Sequence, residues 1–371
     1  MRVVSATVDL LRVPLVQPYM AAGKEIREYW HVLARVITDN GIEGFGYVVM
    51  LNAALVKPLA EATRELANLL KGMHVFEPEA AWTKLTQAAK WVGPGGFVNC
   101  AIAPLDIAMW DAAGKAANQP LYRLLGGFSD RVPAYASDNL WYNLSLDELA
   151  ASARQHVADG FKAMKLRIGN EKTPLGEVRR VAAVQEAAGD GVRIMVDATE
   201  TWEVNRALQT GRALQDAGIH WLEDPIDHQD VMGMSRLANV LHVPIATGEH
   251  LYTLGEFSQL FGARGAGIGI IDLARIGGIT PWRRVANLAL ASNVRICGHV
   301  LPELHVHLLA AIPNGHLVEY VPRPERILRS MPKSRHCAPA SSPRRSDHPP
   351  PSPNKPPAAP RTDCRCTAST V

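Results

Sequence analysis

The segments RIMVDA (193–198), HWLEDP (220–225) and PIATGE (244–249) each place an acidic residue at the end of a short apolar run. Successive acids lie 26 residues apart, about the length of one strand plus one covering helix in a repeating βα architecture. Each carboxylate therefore falls where a parallel strand would end, which is where barrel enzymes hold their catalytic groups. The acids are Asp197, Glu223 and Glu249.

Three carboxylates at one rim would repel one another strongly unless a cation shared them. Oxygen-only ligation is typical of hard divalent ions, so we predict that Asp197, Glu223 and Glu249 bind Mg²⁺, with Mn²⁺ as an alternative. An isolated acid after a strand more often caps the following helix. The regular spacing of three such acids favours a metal site over three separate helix caps.

The sequence of residues 126–330 alternates between short apolar strands and amphipathic helical stretches. Eight such strands with seven intervening helices predict an α/β fold, a closed (β/α)7β barrel of the TIM type that forms the catalytic domain. An open doubly wound sheet is the alternative architecture. Thr173-Pro174 and Thr280-Pro281 each resemble a helix start, with the threonine as N-cap and the proline at the first helical position.

The N-terminal part, residues 1–125, has a different pattern. It combines three strand-like segments with helices predicted near 52–72, 77–89 and 100–118. The Asp-Asn-Gly sequence at 39–41 predicts a hairpin turn between two of the strands. We therefore expect a separate α+β domain that caps the barrel.

Composition excludes several classes of function. The tail 331–371 carries seven Lys/Arg and two Asp, so the other 330 residues have a net charge of −2 and offer no basic surface for nucleic acid. No apolar run reaches the roughly 18 residues that a membrane span needs, and the N-terminus lacks a signal-peptide pattern. Only Cys100 and Cys297 precede the tail, which argues against a disulfide framework and favours a soluble cytoplasmic protein.

Further polar residues continue the same rim. Lys165 and Arg167 lie two residues apart in AMKLRI and so share one face of a strand. Asp272, His299 and Glu319 end the next three apolar runs. A single lysine or histidine is more often structural. Together these residues predict cations on one side of a metal site and a histidine on the other.

This set of residues resembles the enolase superfamily and, within it, the mandelate racemase-like subgroup. The segment DIAMWDAAGKAANQPLYRLLGG at 106–127 resembles the junction between that family's capping domain and its barrel. The resemblance covers about residues 1–330 and implies Mg²⁺-assisted removal of a proton next to a carboxylate. The family's motif positions are matched, in order, by Lys165, Asp197, Glu223, Glu249, Asp272, His299 and Glu319.

The implied chemistry gives each group a role. Mg²⁺ would stabilise the charge that develops on the substrate carboxylate. His299 is the candidate base, because an imidazole with an ordinary pKa of about 6.5 exchanges protons near neutrality, and Asp272 would orient its ring. The resemblance implies that Lys165 contacts the carboxylate as a cation and that Glu319 donates a hydrogen bond from its protonated form. The candidate substrate contacts at the same rim are Ser137 and His250.

The chain departs from the family at its second basic position, where Arg167 replaces a lysine. Arginine stays protonated, with a pKa above about 12, so it is a poor base. A racemase needs a proton acceptor on each face of the carbon. We therefore predict a lyase that dehydrates a sugar acid to a 2-keto-3-deoxy acid. Racemisation or epimerisation of a 2-hydroxy acid is one alternative, and an inactive relative with a binding or structural role is another.

The tail is a second departure, because members of the family continue there with ordered chain. Ten of the 41 residues from Met331 to Val371 are proline, and no apolar periodicity is present. We expect this segment to be disordered. A frameshift near residue 330 would account for the change in composition.

The expected partners of the protein are a small carboxylate substrate and further copies of the same chain in a homo-oligomer.

Overall fold

The computed structural model describes residues 1–21, 24–51, 54–93, 95–321 and 363–365. Within these ranges, none of the helices combines the length and the apolar character needed to cross a bilayer. Most of the tail predicted to be disordered lies outside the described residues. Its described part is a short strand, Asp363–Arg365, which pairs antiparallel with a strand of the barrel.

The N-terminal part begins with three antiparallel strands, β1 (Val3–Ala21), β2 (Lys24–Thr38) and β3 (Glu43–Met50). The turn between β2 and β3 holds the Asp-Asn-Gly sequence that predicted a hairpin, and this prediction is confirmed. Gly41 has a φ of +81° in this turn, a left-handed conformation that glycine adopts without strain.

Four helices follow this sheet: α1 (Val56–Ala67), α2 (Pro78–Ala88), α3 (Gly96–Ala117) and α4 (Leu121–Leu124). Helices α1 and α3 pack on the sheet, α2 packs on α3, and α4 leads into the barrel. The first three correspond to the helices predicted in this region, although α3 starts at Gly96 and not at residue 100. A Cβ added at Gly44 or Gly46 of β3 would lie 2.2 or 2.1 Å from backbone oxygens of α3. Glycine at these positions therefore lets the helix lie directly on the sheet.

Eight parallel strands form the second sheet: β4 (Arg131–Ala136), β5 (Ala163–Arg167), β6 (Arg193–Asp197), β7 (Leu222–Glu223), β8 (Ile245–Thr247), β9 (Ile268–Asp272), β10 (Arg295–His299) and β11 (Val318–Tyr320). Their order is β10-β9-β8-β7-β6-β5-β4-β11, which follows the chain around a nearly closed barrel. Backbone hydrogen bonds from Ile296 to the segment before β11 connect the two ends of the sheet. The predicted barrel is confirmed, and the doubly wound alternative is wrong.

The connections between the strands are helical throughout. These helices are α5 (Leu146–Ala158), α6 (Pro174–Ala188), α7 (Val204–Asp216), α8 (Val231–Val240), α9 (Leu254–Gly262), α10 (Leu273–Ile276), α11 (Ile279–Ala291) and α12 (Pro302–Ala310). Large buried side chains fill the barrel interior, among them Tyr135, Met195, Trp221 and Ile270. The interior is therefore a packed core, which leaves the rim of the barrel as the place for a site.

A buried hydrogen-bond network joins α3 of the cap to α11 of the barrel. The Thr280 hydroxyl donates to Asp106 Oδ1 at 2.6 Å and accepts from Trp110 Nε1 at 2.9 Å. The Thr280 N–H donates to Asp106 Oδ2 at 2.9 Å. The prediction that Thr280 is an N-cap is wrong, because α11 begins at Ile279 and Asp106 takes the hydroxyl. At the other predicted helix start, Thr173 does cap α6.

Replacing Thr280 by valine keeps the side-chain volume and removes the hydroxyl from this network. We expect the free energy of unfolding to fall by about 2–3 kcal/mol, because Asp106 and Trp110 each lose a buried hydrogen-bond partner. Equilibrium urea unfolding followed by circular dichroism measures the loss. Thr83→Val is the matched control, since Thr83 is exposed and its hydroxyl donates to a carbonyl on the surface of α2. Equal losses in the two variants would contradict a stabilising role for the network.

Candidate active site

The predicted site residues share one rim of the barrel. All strands of a parallel barrel run in one direction, so their carboxyl ends meet at the same rim, and side chains from several strands can converge there. The residues are Lys165 and Arg167 in β5, Asp197 at the end of β6, Glu223 at the end of β7, Glu249 just after β8, Asp272 at the end of β9, His299 at the end of β10 and Glu319 in β11.

Lys165 lies at the centre of the acidic groups. Its ammonium donates to Glu223 Oε1 and lies 3.0 Å from Glu319 Oε1 and 3.4 Å from Asp197 Oδ2. The residue is only 1% exposed. Burial would lower the pKa of Lys165, but Glu223 and Glu319 outweigh burial and hold the pKa well above its ordinary value. Lys165 is therefore a cation at neutral pH.

Glu223 shows that one ammonium does not balance the acids. Its second oxygen, Oε2, accepts a hydrogen bond from Trp221 Nε1 at 2.9 Å. Burial raises the pKa of Glu223 to about 8, against the pull of Lys165 and with support from the neighbouring carboxylates. More acidic groups than cations therefore meet at the ends of β6, β7 and β8, and burial favours the protonated form of Glu223.

The acids at the ends of β6, β7 and β8 are the residues that could hold a metal. Asp197, Glu223 and Glu249 supply oxygen donors from three adjacent strands, and Asp197 pairs directly with Glu223 in the β6–β7 register. A set of carboxylate oxygens fits a hard divalent cation. The three do not lie as close as a coordinated set, and Lys165 contacts both Asp197 and Glu223. In the described part of the chain, the groups with ligand atoms all within 4.8 Å are Glu200–His228–His250 and Asp224–Glu249–His250.

His299 and Asp272 form a hydrogen-bonded pair. His299 Nδ1 lies 2.6 Å from Asp272 Oδ2, and Asp272 Oδ1 accepts from the Arg275 N–H at 2.7 Å. The other ring nitrogen, Nε2, lies 3.4 Å from Glu249 Oε1. Burial would lower the pKa of His299, but Glu249 and Asp272 raise it to about 9. Burial would raise the pKa of Asp272, whereas His299 and Arg275 hold it below its usual range.

Arg167 is fixed in place as a cation. Its guanidinium donates to the carbonyl of Ser137 at 3.1 Å and to the hydroxyl of Ser137 at 3.2 Å, and its Cζ lies 4.0 Å from the centre of the Trp141 ring. Burial would lower the pKa of Arg167, but Asp197 and Glu319 raise it above its ordinary value. Arg167 is therefore a permanent cation that cannot accept a proton, and its guanidinium is positioned by Ser137 and Trp141.

Glu319 is a carboxylate that accepts hydrogen bonds on both oxygens. Ser137 Oγ donates to Oε1 at 2.6 Å, and the Val300 N–H donates to Oε2 at 2.7 Å. Burial would raise the pKa of Glu319, but the charge of Lys165 and other cations hold it below its usual range. This corrects the expectation of a protonated, donating Glu319. The same contacts direct the Ser137 hydroxyl, predicted to touch substrate, to a protein carboxylate.

His250, the other predicted substrate contact, faces acids. Its Nε2 lies 3.5 Å from Glu249 Oε1 and 3.8 Å from an oxygen of Glu200 and of Asp224. The side chain is 28% exposed. Burial lowers the pKa of His250 in spite of these carboxylates, of which Glu249 has the largest effect. The structure thus places His250 at the rim, beside an acid predicted to bind metal.

Three residues around the site were not predicted from the sequence. Trp221 lies two residues before Glu223, so strand periodicity would place both on one face. Arg275 lies in the first turn of α10, where the Asp272 carboxylate caps the helix. Both could have been found from spacing alone. Trp141 lies outside the regular helices and strands, and no periodic pattern in the sequence indicates that it packs on Arg167.

An Asp272→Asn variant tests the coupling within the His299–Asp272 pair. Loss of the carboxylate charge should lower the pKa of His299 from about 9 toward its ordinary value of 6.5. NMR titration of metal-free protein with ¹⁵N-labelled histidine measures this pKa, and His299→Gln identifies the resonance.

The same pair has a defined effect on stability. Its contribution to stability is complete between the ordinary pKa values of 3.8 for Asp272 and 6.5 for His299, and it is lost as the pH rises through about 9.

The control for the NMR titration is Asp190→Asn, on the exposed loop before β6, which should leave the pKa of His299 unchanged. An unchanged pKa in Asp272→Asn as well would contradict the coupling.

Comparison with known proteins matches both the N-terminal part and the barrel to family models. Residues 5–126 match the mandelate racemase / muconate lactonizing enzyme N-terminal domain, and residues 148–340 match the family described as enolase C-terminal domain-like. The 3,6-anhydro-alpha-L-galactonate cycloisomerase of Streptomyces coelicolor is 32% identical over 312 residues, covering 84% of this chain and 86% of the relative. The L-talarate/galactarate dehydratase of Salmonella typhimurium is 33% identical over 297 residues, covering 80% and 74%.

The relatives differ in the reactions that their names state. The L-Ala-D/L-Glu epimerase of Bacillus subtilis is 22% identical over 313 residues, covering 84% of each chain. A crystal structure of the Salmonella typhimurium dehydratase with Mg and L-lyxarohydroxamate matches with a TM-score of 0.82 at 31% identity, covering 86% of this chain and 83% of that chain. The relatives thus include a dehydratase, a cycloisomerase and an epimerase, which does not select one reaction.

Proposed function

Because the chain belongs to the mandelate racemase-like subgroup of the enolase superfamily, we propose that it is an Mg²⁺-dependent enzyme that removes the proton next to a carboxylate. The proposed substrate is a sugar acid, an aldonate or aldarate, and the proposed product is a 2-keto-3-deoxy acid. The observation that carries the proposal is the difference among the basic residues. His299 is an imidazole whose ordinary pKa lies near neutrality, whereas Lys165 and Arg167 are held as cations.

Asp197, Glu223 and Glu249 are the residues that would hold Mg²⁺. Their donors are all carboxylate oxygens, and burial together with the neighbouring carboxylates raises the pKa of Glu223 to about 8. When bound, the ion supplies Lewis-acid stabilisation of the charge that develops on the substrate carboxylate as the α-proton leaves. The dehydratase relative whose structure contains Mg supports the same assignment.

His299 is the proposed base. Its Nδ1 is held by Asp272 at 2.6 Å, so Nε2 is the nitrogen left to exchange a proton with substrate. The charge of Glu249 contributes to raising the pKa of His299 to about 9, above the range of an effective base at neutral pH. A cation held by Glu249 would share the charge of this carboxylate and would lower the pKa of His299 toward neutrality.

Lys165 and Arg167 bind and orient the substrate carboxylate in this proposal. Both are cations inside the site, and neither can serve as a second base. Racemisation requires a proton acceptor on each face of the α-carbon. A single base therefore favours a reaction in which the α-proton leaves and the leaving group is protonated on the same face of the substrate. The permanent charge of Arg167 is therefore the strongest argument against a racemase.

Dehydration completes the reaction without another base. His299 removes the α-proton, the electrons of the broken C–H bond form a carbon–carbon double bond, and the β-hydroxyl leaves with its bonding electrons. The imidazolium of His299 can return its proton to the leaving hydroxyl, which departs as water. The enol that remains tautomerises to the 2-keto-3-deoxy acid, and the base is restored.

Turnover of a sugar-acid panel tests the proposed reaction. We expect the enzyme with Mg²⁺ to form 2-keto acids from at least one aldonate or aldarate, detected by the absorbance of their semicarbazones. His299→Asn should lower kcat by about 10³-fold, because proton transfer loses its only base. Glu65→Gln, an exposed substitution on α1, is the control and should keep full activity.

Two results would overturn this assignment in different ways. Exchange or inversion at the α-carbon of a 2-hydroxy acid, seen by proton NMR in ²H₂O and by polarimetry without any keto product, would favour a racemase. A Mg²⁺-dependent rise in melting temperature with no turnover of any acid in the panel would favour an inactive relative with a binding role.

Glu223→Gln tests the metal ligands separately from the reaction. The wild-type protein should melt at a higher temperature with Mg²⁺ than with EDTA, because a ligand that binds only the folded state stabilises it. Glu223→Gln should lose most of this difference while staying folded, as checked by circular dichroism. The same difference in Glu223→Gln and in the Glu65→Gln control would exclude Glu223 as a ligand.

A further inference from the structure

Glu200, His228 and His250 form a second cluster of metal-ligating side chains, which we name the loop cluster. The three residues come from the consecutive loops that follow β6, β7 and β8. One ligand atom from each lies within 4.8 Å of the other two. All three residues are partly exposed, so an ion can reach them from solvent. None of the three is among the proposed Mg²⁺ ligands.

Contacts within the loop cluster already orient its donors. Glu200 Oε1 accepts from the His228 N–H at 2.8 Å and lies 2.8 Å from His228 Nδ1. The imidazoles of His228 and His250 stack with ring centres 5.4 Å apart and an angle of 25°. His250 Nε2 lies 3.8 Å from Glu200 Oε2. Two imidazole nitrogens and a carboxylate therefore face a common space.

Asp224 is an independent observation that points to a cation at this place. The residue is 1% exposed, and its Oδ1 has no hydrogen-bond partner among the described residues. Its Oδ2 lies 3.8 Å from His250 Nε2. A buried carboxylate oxygen without a partner is costly, and a nearby cation removes that cost. Together with Glu200 and Glu249, Asp224 surrounds the His250 ring nitrogen with three carboxylates.

We propose that the loop cluster binds a second divalent cation of borderline softness, such as Co²⁺ or Zn²⁺. Two histidines and one carboxylate are a frequent donor set for these ions, whereas Mg²⁺ prefers oxygen donors alone. Asp224 supplies a further oxygen beside the three ligands. The donor chemistry therefore separates this site from the all-carboxylate site proposed for Mg²⁺.

A cation in the loop cluster would link three loops of the barrel mouth. Glu200 lies three residues after Asp197, and His250 directly follows Glu249, so each is close along the chain to a proposed Mg²⁺ ligand. Binding at the loop cluster would thus hold the ends of β6 and β8 in place. The proposal concerns binding and does not require that the proposed reaction is correct.

Co²⁺ is a suitable probe, because its visible absorption reports nitrogen and oxygen ligands while Mg²⁺ has no such signal. Tag-free, full-length protein is dialysed against Co²⁺ in the presence of saturating Mg²⁺, and the retained metal is measured by plasma mass spectrometry. We expect one equivalent of Co²⁺ with a visible absorption band. His228→Ala and Glu200→Gln should weaken Co²⁺ binding by more than about 100-fold, since each removes a direct ligand.

Control variants separate this proposal from the Mg²⁺ site. His242→Ala removes an exposed imidazole outside the loop cluster and should retain the Co²⁺ equivalent. Glu223→Gln should also retain the Co²⁺ equivalent but lose the Mg²⁺-dependent shift in melting temperature. His228→Ala should lose the Co²⁺ equivalent and keep the Mg²⁺-dependent shift. Wild-type protein that retains no Co²⁺ against Mg²⁺, or His228→Ala that retains as much as wild type, overturns the loop-cluster site.

Discussion

The buried charge of Lys165 is the constraint on which the site depends. An ammonium group removed from water costs several kcal/mol unless carboxylates surround it, and Glu223, Glu319 and Asp197 do so within 3.4 Å. The same cation keeps Glu319 ionised by lowering its pKa. It does not suffice for Glu223, whose pKa is raised to about 8 by burial. One lysine thus keeps Glu319 ionised, while burial favours the protonated form of Glu223.

The hydrogen bonds of the site also help to close the barrel. Ser137, which follows β4, donates from its hydroxyl to Glu319 of β11 and from its N–H to the Tyr320 carbonyl. Arg167 of β5 donates to Ser137 as well, so three neighbouring strands are tied together at the rim. Glu319 in turn accepts from the Val300 N–H just after β10, across the gap in the sheet. Fold closure and site geometry therefore rest on the same side chains.

The sequence was sufficient to predict groups whose position follows from strand periodicity. Asp197 and Glu223 end apolar runs, so the barrel alone brings them to one rim. Thr280 could not be assigned correctly, because its hydroxyl donates to Asp106, which lies 174 residues away in the sequence. The ionisation of Glu319 depends on the sum of burial and the surrounding charges, which no local pattern contains. His228 and its neighbours in the loop cluster come from irregular loops, where spacing carries no geometric information.

Glu249 connects the parts of the site that the reaction would use. Its Oε1 lies 3.4 Å from His299, 3.5 Å from His250 and 3.8 Å from Arg275, so three cationic or titratable groups share one carboxylate oxygen. A charge placed on Glu249 therefore changes the proton affinity of His299 directly, without any movement of the backbone. In the proposed reaction, Arg167 would offer no base to the substrate, while Glu249 would modulate the proton affinity of His299.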